Sequence, residues 1–168
     1  MKVREAVRRP VKSCTPLSSL EDVARLMWEG DHSAVPVVDP HGKAVGLLSD
    51  REIAVALAAK NRGASHVLVR ELLGEDFVTC TPDDDLAVAA QKMREHRLRS
   101  LAIIEPDRSL FGVLSVEDLA HAAKVSDAQA SPAISYEEVV QVLKAVGRTR
   151  EEAGENAPRW PWIHAGAR

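Results

Sequence analysis

The chain has 168 residues, 45% hydrophobic and 28% charged, with a formal net charge of −3. That composition supports a packed core and excludes a disordered chain, and it offers no basic field to draw in nucleic acid or an anionic membrane. No apolar run nears the ~18–20 residues of a membrane helix, MKVREAVRRP lacks the apolar stretch of a signal peptide, and Cys14 and Cys80 stand alone, so neither disulfides nor structural zinc is expected and a reducing cytoplasm is. In chain order, Val11 to Cys14 reads as a short extended run stopped by Thr15-Pro16, because proline holds the preceding residue extended. Ser19 is placed to cap a helix whose apolar positions Leu20, Val23, Ala24 and Met27 recur at three- and four-residue spacing, with Gly30 ending it. Ala34 to Val38 is a continuous apolar run suited to a strand buried on both faces. Asp39-Pro40-His41-Gly42 signals a turn into a second strand, Ala44 to Leu48, and a helix follows from about Ser49 to Lys60.

The same order then returns. Phe77–Cys80 is extended, a helix spans about Asp85–His96, and Leu101–Glu105 is a strand; a turn at Pro106–Arg108 leads to the strand Leu110–Leu114 and a helix from Ser115. Sliding the chain over itself by 66 residues aligns Val3-Arg4-Glu5 with Val69-Arg70-Glu71 and Cys14-Thr15-Pro16 with Cys80-Thr81-Pro82. Without gaps, 16 of 54 positions are identical between Val3–Ala56 and Val69–Ala122. Chance pairing gives only about three or four, so this is a duplicated unit. One copy has too few elements to bury both faces of its sheet, so the copies are expected to pack together about a pseudo-twofold axis.

The densest matches are Gly46-Leu47-Leu48-Ser49-Asp50-Arg51-Glu52 and Gly112-Val113-Leu114-Ser115-Val116-Glu117-Asp118. A glycine near the strand end permits a tight turn or a close ligand. The serine either caps the next helix or presents its hydroxyl to a ribose or phosphate, and the helix start offers free N–H groups. The acid three residues later lies on the serine's side, where an ionised carboxylate accepts two hydroxyl hydrogen bonds such as a ribose diol donates. Each residue also has a purely structural reading. Ser49 and Ser115 are suited to plain capping, and Glu52 and Asp118 to complementing the helix dipole.

This repeated pattern resembles a tandem pair of cystathionine-β-synthase (CBS) domains, the Bateman module, over roughly Val3 to Lys124. The resemblance implies an α+β fold: two β-α-β-β-α repeats about a pseudo-twofold axis, residues 1–62 and 63–124, then a linker, helix and tail over 125–168. It also implies a stand-alone regulatory protein that binds an adenosine-containing ligand (AMP, ADP, ATP, NAD or S-adenosylmethionine) in clefts between the copies, with no tightly bound cofactor, and that forms a homodimer. The family's ribose-contacting acid maps onto Asp118. Copy one departs with Glu52, one methylene longer, for which Asp50 is a possible substitute. Thr15 and Thr81 map onto pocket-lining positions, Gly46 and Gly112 onto the strand glycines, and Arg99 onto a phosphate-contacting base whose copy-one equivalent is the neutral Ser33. The site around Ser115 and Asp118 is therefore expected to be the more competent.

Several residues are read as structural. Cys14, Cys80, Met27 and Met93 are taken as core, Arg97 and Arg99 read by themselves as a solvated face, and no histidine has a partner at metal-ligand spacing. No GxSxG elbow or GxxxxGK[ST] loop appears, so no enzyme is expected. Ser126 to Pro132 is a linker; Ser135 and Glu138 form a capping box for a helix through about Val146, stopped by Gly147. Its stripe Val139, Val142, Leu143 and Val146 must be covered by the CBS pair or a second subunit. The tail carries Trp160-Pro161-Trp162-Ile163, which reads either as a segment that docks on a groove or as a disordered end. The competing reading is a non-ligand-binding CBS pair that acts through a protein partner, which the Glu52 departure favours.

Overall fold

Ser19, Ser49 and Ser115 each stand one residue before a helix, and in the computed structural model each closes a capping box with the acid three residues on. The structure describes residues 1–7, 9–74, 77–123 and 134–147. In chain order these form α1 (Val3–Ala6), α2 (Leu20–Gly30), β1 (Ala34–Val38), β2 (Ala44–Ser49), α3 (Asp50–Lys60) and two 3₁₀ turns, Ala64–His66 and Val69–Glu71. Then follow β3 (Thr79–Cys80), α4 (Leu86–His96), β4 (Ser100–Ile104), β5 (Leu110–Ser115), α5 (Val116–Ala122) and α6 (Tyr136–Gly147). The predicted linker Ser126–Pro132 and the tail from Arg148 lie outside the described residues.

The chain divides into two units. The first-repeat unit holds Val11–Phe77 and the turn residues Asp107–Leu110. The second-repeat unit holds Met1–Pro10, Val78–Pro106 and the described residues from Phe111 on. In the first-repeat unit β1 and β2 pair antiparallel, Ala34 against Ser49, with an irregularity at Val37/Val38. The expected strand Val11–Cys14 shrinks to one parallel bridge, Cys14 to Val37. It ends there because Thr15 already accepts a turn bond from the Ser18 N–H at 3.0 Å. In the second-repeat unit β3, β4 and β5 form a sheet in that order, and the matching bridge, Cys80 to Ile103, is again parallel.

Each unit takes the head of one repeat and the body of the other. In the first-repeat unit Leu20 N–H donates to Val67 O (2.9 Å), Val69 N–H to Ser18 O (2.9 Å) and Arg70 N–H to Pro16 O (2.9 Å). In the second-repeat unit Leu86 N–H donates to Met1 O (3.2 Å), Val3 N–H to Asp84 O (3.0 Å) and Arg4 N–H to Pro82 O (3.0 Å). These are the same three bonds displaced by the repeat offset of 66. Val69 accordingly packs with Leu20, Val23 and Met27, and Val3 with Leu86, Ala89 and Met93. Ion pairs on the second-repeat unit, Lys2–Asp85 at 2.8 Å and Arg4–Asp83 at 2.6 Å, hold the same edge.

Several expectations are met: β1 is buried along its length but for Val38, and Met27, Met93, Cys14 and Cys80 are core. Others are corrected. Ala24 is exposed; the buried row of α2 is Leu20, Val23 and Met27, with Leu26 beside it. Gly30 is the last helical residue, and the left-handed cap falls on Asp31 (φ 51°). Arg97 is no mere solvated charge: it caps α4 at φ 57°, and its Nε donates to Ala145 O at 3.0 Å, near the negative end of the α6 dipole. Ser135 and Glu138 do form the capping box of α6, at 2.8–3.2 Å. α6 packs on α4 and α5 through Val139 and Val142, so the second-repeat unit covers those two, while Leu143 stays exposed. Among the described residues no helix is long and apolar enough to cross a membrane.

Candidate functional site

The predicted site residues separate by unit: Thr81, Arg99, Gly112, Ser115 and Asp118 in one, Thr15, Gly46, Ser49, Asp50 and Glu52 in the other. At the α5 start, Ser115 N–H and Ser115 Oγ both donate to Asp118 Oδ2, at 2.8 and 2.7 Å, and Asp118 N–H returns to Ser115 Oγ at 3.2 Å. At the α3 start the same three bonds join Ser49 and Glu52, at 2.8, 2.7 and 3.3 Å. The extra methylene of Glu52 therefore folds back and leaves its carboxylate on the cap. What separates the two acids is exposure: Asp118 is buried at 6%, whereas Glu52 is half-buried.

The strand before each helix fixes the rest. Val116 N–H donates to Arg99 O at 2.9 Å, and Asp50 N–H to Ser33 O at 3.0 Å, so the residue preceding β4 or β1 meets the first residue of the following helix. Arg99 is thereby brought to the Ser115–Asp118 end of α5, where its guanidinium pairs with Glu117 at 3.5 Å with both side chains half in solvent. Glu117 was not singled out from the sequence. A basic residue one position before a strand and an acid two after the strand-end serine was the only signal for it. Asp50 is exposed and accepts the Arg51 N–H at 2.6 Å.

Thr15 and Thr81 are exposed and close the turns leading into α2 and α4: Thr15 N–H donates to Ser18 Oγ at 3.1 Å, Thr81 N–H to Asp84 Oδ2 at 2.9 Å. Gly46 has a packing reason of its own. A Cβ built on it would lie 2.5 Å from Leu73 Cδ2 and 3.8 Å from Val37 Cβ. The space the glycine opens is filled by the chain's own leucine, 27 residues downstream, which no local motif announces.

Carboxylates at a helix start repel an anion placed on them and accept hydroxyl donors, while the N–H groups there are already in part satisfied by the cap. At the α5 start Asp118 Oδ2 serves the Ser115 cap, and the Arg99 guanidinium beside it pairs with Glu117. Among the described residues, no group of three or more His, Cys, Asp or Glu side chains is placed to hold a metal ion.

Residues 3–59 and 69–125 each match the CBS domain family. The chain is 30% identical over 118 residues to the CBS domain-containing protein YhcV of Bacillus subtilis, covering 70% of this chain and 82% of that protein. It also matches the homoserine O-acetyltransferase of Methanohalobium evestigatum, 30% over 101 residues and 60% of this chain, but spans only 20% of that protein's length. Among solved structures, a conserved CBS-domain protein of unknown function from Thermoplasma acidophilum superposes with a TM-score of 0.73 at 21% identity, over 86% of this chain and 75% of that one. A CBS-domain protein of Pyrobaculum aerophilum complexed with AMP gives 0.64 at 23%, over 71% and 90%. With both repeats matched and a relative covered over most of its length, the chain belongs to the CBS-domain family.

Proposed function

We propose that the chain is a regulatory CBS pair, not a catalyst, that binds an adenosine-containing ligand at the α5 start of the second-repeat unit. The observation that carries this reading is the convergence of Arg99, Ser115 and Asp118 on one helix end. Asp118 is the acceptor for a ribose diol, and Arg99 the cation for a phosphate. The AMP complex of the Pyrobaculum relative supports the ligand class. A ligand held there shifts the chain between conformations only by its difference in affinity for them, so signalling demands differential binding. A cytoplasmic homodimer is the setting the family resemblance suggests.

Calorimetric titration with AMP, ADP, ATP, NAD and S-adenosylmethionine tests the reading. At least one should bind the wild-type chain. Asp118→Asn, which keeps an oxygen for the Ser115 cap but removes the charge, should abolish binding of that ligand. Arg99→Ala should weaken phosphate-bearing ligands and leave S-adenosylmethionine unchanged. Silence from every ligand at millimolar concentration would favour the other reading, an interaction module acting through a protein partner. The packing of Leu73 beside Gly46 speaks for that alternative in the first-repeat unit.

A further inference from the structure

Leu17 and Trp28 are 67% and 88% exposed, the two most solvated large apolar side chains among the described residues. The second repeat shows that the fold does not require them. At the offset of 66, Asp83 stands for Leu17 and Arg94 for Trp28, and both are exposed as well. A charged side chain therefore serves at either place, yet the first repeat holds most of the roughly 200 Å² of an indole side chain in water.

The helix face between them is bare. Glu21, Ala24, Arg25 and Trp28 recur at three- and four-residue spacing on one side of α2, and all four are exposed. On α4 the position matching Ala24 is Ala90, which is buried in the unit where α6 packs on α4. Against α2 lie α3, β1 and the short turn Ala64–His66, and Ala24 stays exposed.

Charge pattern decides the occupant, because this face is complementary to itself. Laid antiparallel on a second copy about a twofold axis near Ala24, Glu21 of each copy meets Arg25 of the other, and no like charges face each other. The same arrangement brings Leu17, at one helix start, toward Trp28 at the other copy's helix end. Ala24, the small residue near the axis, lets the two helices approach closely. Within one chain Glu21 and Arg25 stand 3.6 Å apart with both side chains more than half exposed, a pair loose enough to re-form across the axis. Eleven residues of helix span only about 16 Å, so the contact falls short of the ~800 Å² per partner of a stable complex and dissociates on dilution.

We propose that the protein self-associates through α2 of the first-repeat unit, with Leu17, Glu21, Ala24, Arg25 and Trp28 packed antiparallel on the same residues of a second copy. This names the surface of the homodimer suggested above, and it needs no nucleotide.

Sedimentation of the full chain without ligand, from micromolar to near-millimolar concentration, tests it. The wild-type chain should exchange reversibly between monomer and dimer. Trp28→Arg and Leu17→Asp, which install the residues the second repeat carries, should each weaken association at least about tenfold while far-UV circular dichroism holds. Glu21→Arg should weaken it too, and adding Arg25→Glu should restore it. Under mild oxidation Ala24→Cys should give a covalent dimer, whereas the wild-type chain, with Cys14 and Cys80 buried, should not. A single chain's mass at every concentration would overturn both this proposal and the suggested homodimer. A doubled mass that Trp28→Arg leaves unchanged, with Ala24→Cys uncross-linked, would overturn this proposal alone and assign the homodimer to another surface.

Discussion

Val3→Ala and Val69→Ala form a matched pair of perturbations that asks which body each repeat's head stabilises. Both valines are fully buried, Val3 among Leu86, Ala89 and Met93, and Val69 among Leu20, Val23 and Met27. Truncation to alanine removes two methyl groups, about 1.6 kcal/mol of transfer free energy, and the unfilled space brings the loss to about 2–3 kcal/mol. At 1.4 kcal/mol per decade, 2 kcal/mol is about a 30-fold rise in the open population. Native-state hydrogen exchange read by mass spectrometry resolves where that rise falls. Val3→Ala should speed exchange in α4 and β4, more than eighty residues away in sequence, and spare α2 and β1. Val69→Ala should do the reverse, acting on α2 and β1 upstream of it. If Val3→Ala instead loosened α2, the nearest long helix in sequence, or raised exchange equally in both units, the exchanged-head account would fail.

Two further outcomes follow from particular contacts. Gly46→Ala should cost about 1–3 kcal/mol by overpacking against Leu73. Combining it with Leu73→Ala should be less damaging than the sum of the single variants, and additive melting shifts would show that Leu73 is not the obstacle. Burial pushes both Cys14 and Cys80 thiols up to about 11. Their folded-state values are raised, so the stability they contribute is complete below the unfolded thiol's ordinary ~8.5 and is lost as pH climbs toward 11. Thermal unfolding should therefore shift downward between about pH 9 and 11. At pH 8 a thiol reagent should label neither cysteine faster than the chain opens, and rapid labelling of the native protein would contradict the burial account.

Local signals made much of the chain legible. Ser19, Ser49 and Ser115 announce helix starts because the partner of each cap is three residues away, inside the same short window. β1 could be read from an unbroken apolar run, and the Asp39–Gly42 turn from residues that favour it: Asp39 accepts the N–H groups of His41 and Lys43 at 2.8 and 2.9 Å, and Gly42 takes φ 76°. The site was legible only in part. Ser115 and Asp118 were found as a pair, but the pattern alone could not separate cap from ligand contact, since one geometry serves both. The methylene that distinguishes Glu52 from Asp118 suggested a different reach, whereas a flexible side chain folds back to the same donors.

The sequence by itself determined that the chain is a doubled unit, and it set α2 to α6 and the strands β1, β2, β4 and β5, while α1 and the two 3₁₀ turns carried no local reading. Those choices rest on neighbours a few residues apart. Only the tertiary structure decided that Val3 joins the core of Leu86 while Val69 joins that of Leu20, that Leu73 fills the space at Gly46, and that one row of α6 is buried and the next is not. The reason is symmetry. Val-Arg-Glu occurs at the head of both repeats and makes the same hydrogen bonds in either body, so local preference is degenerate and long-range packing alone selects the partner.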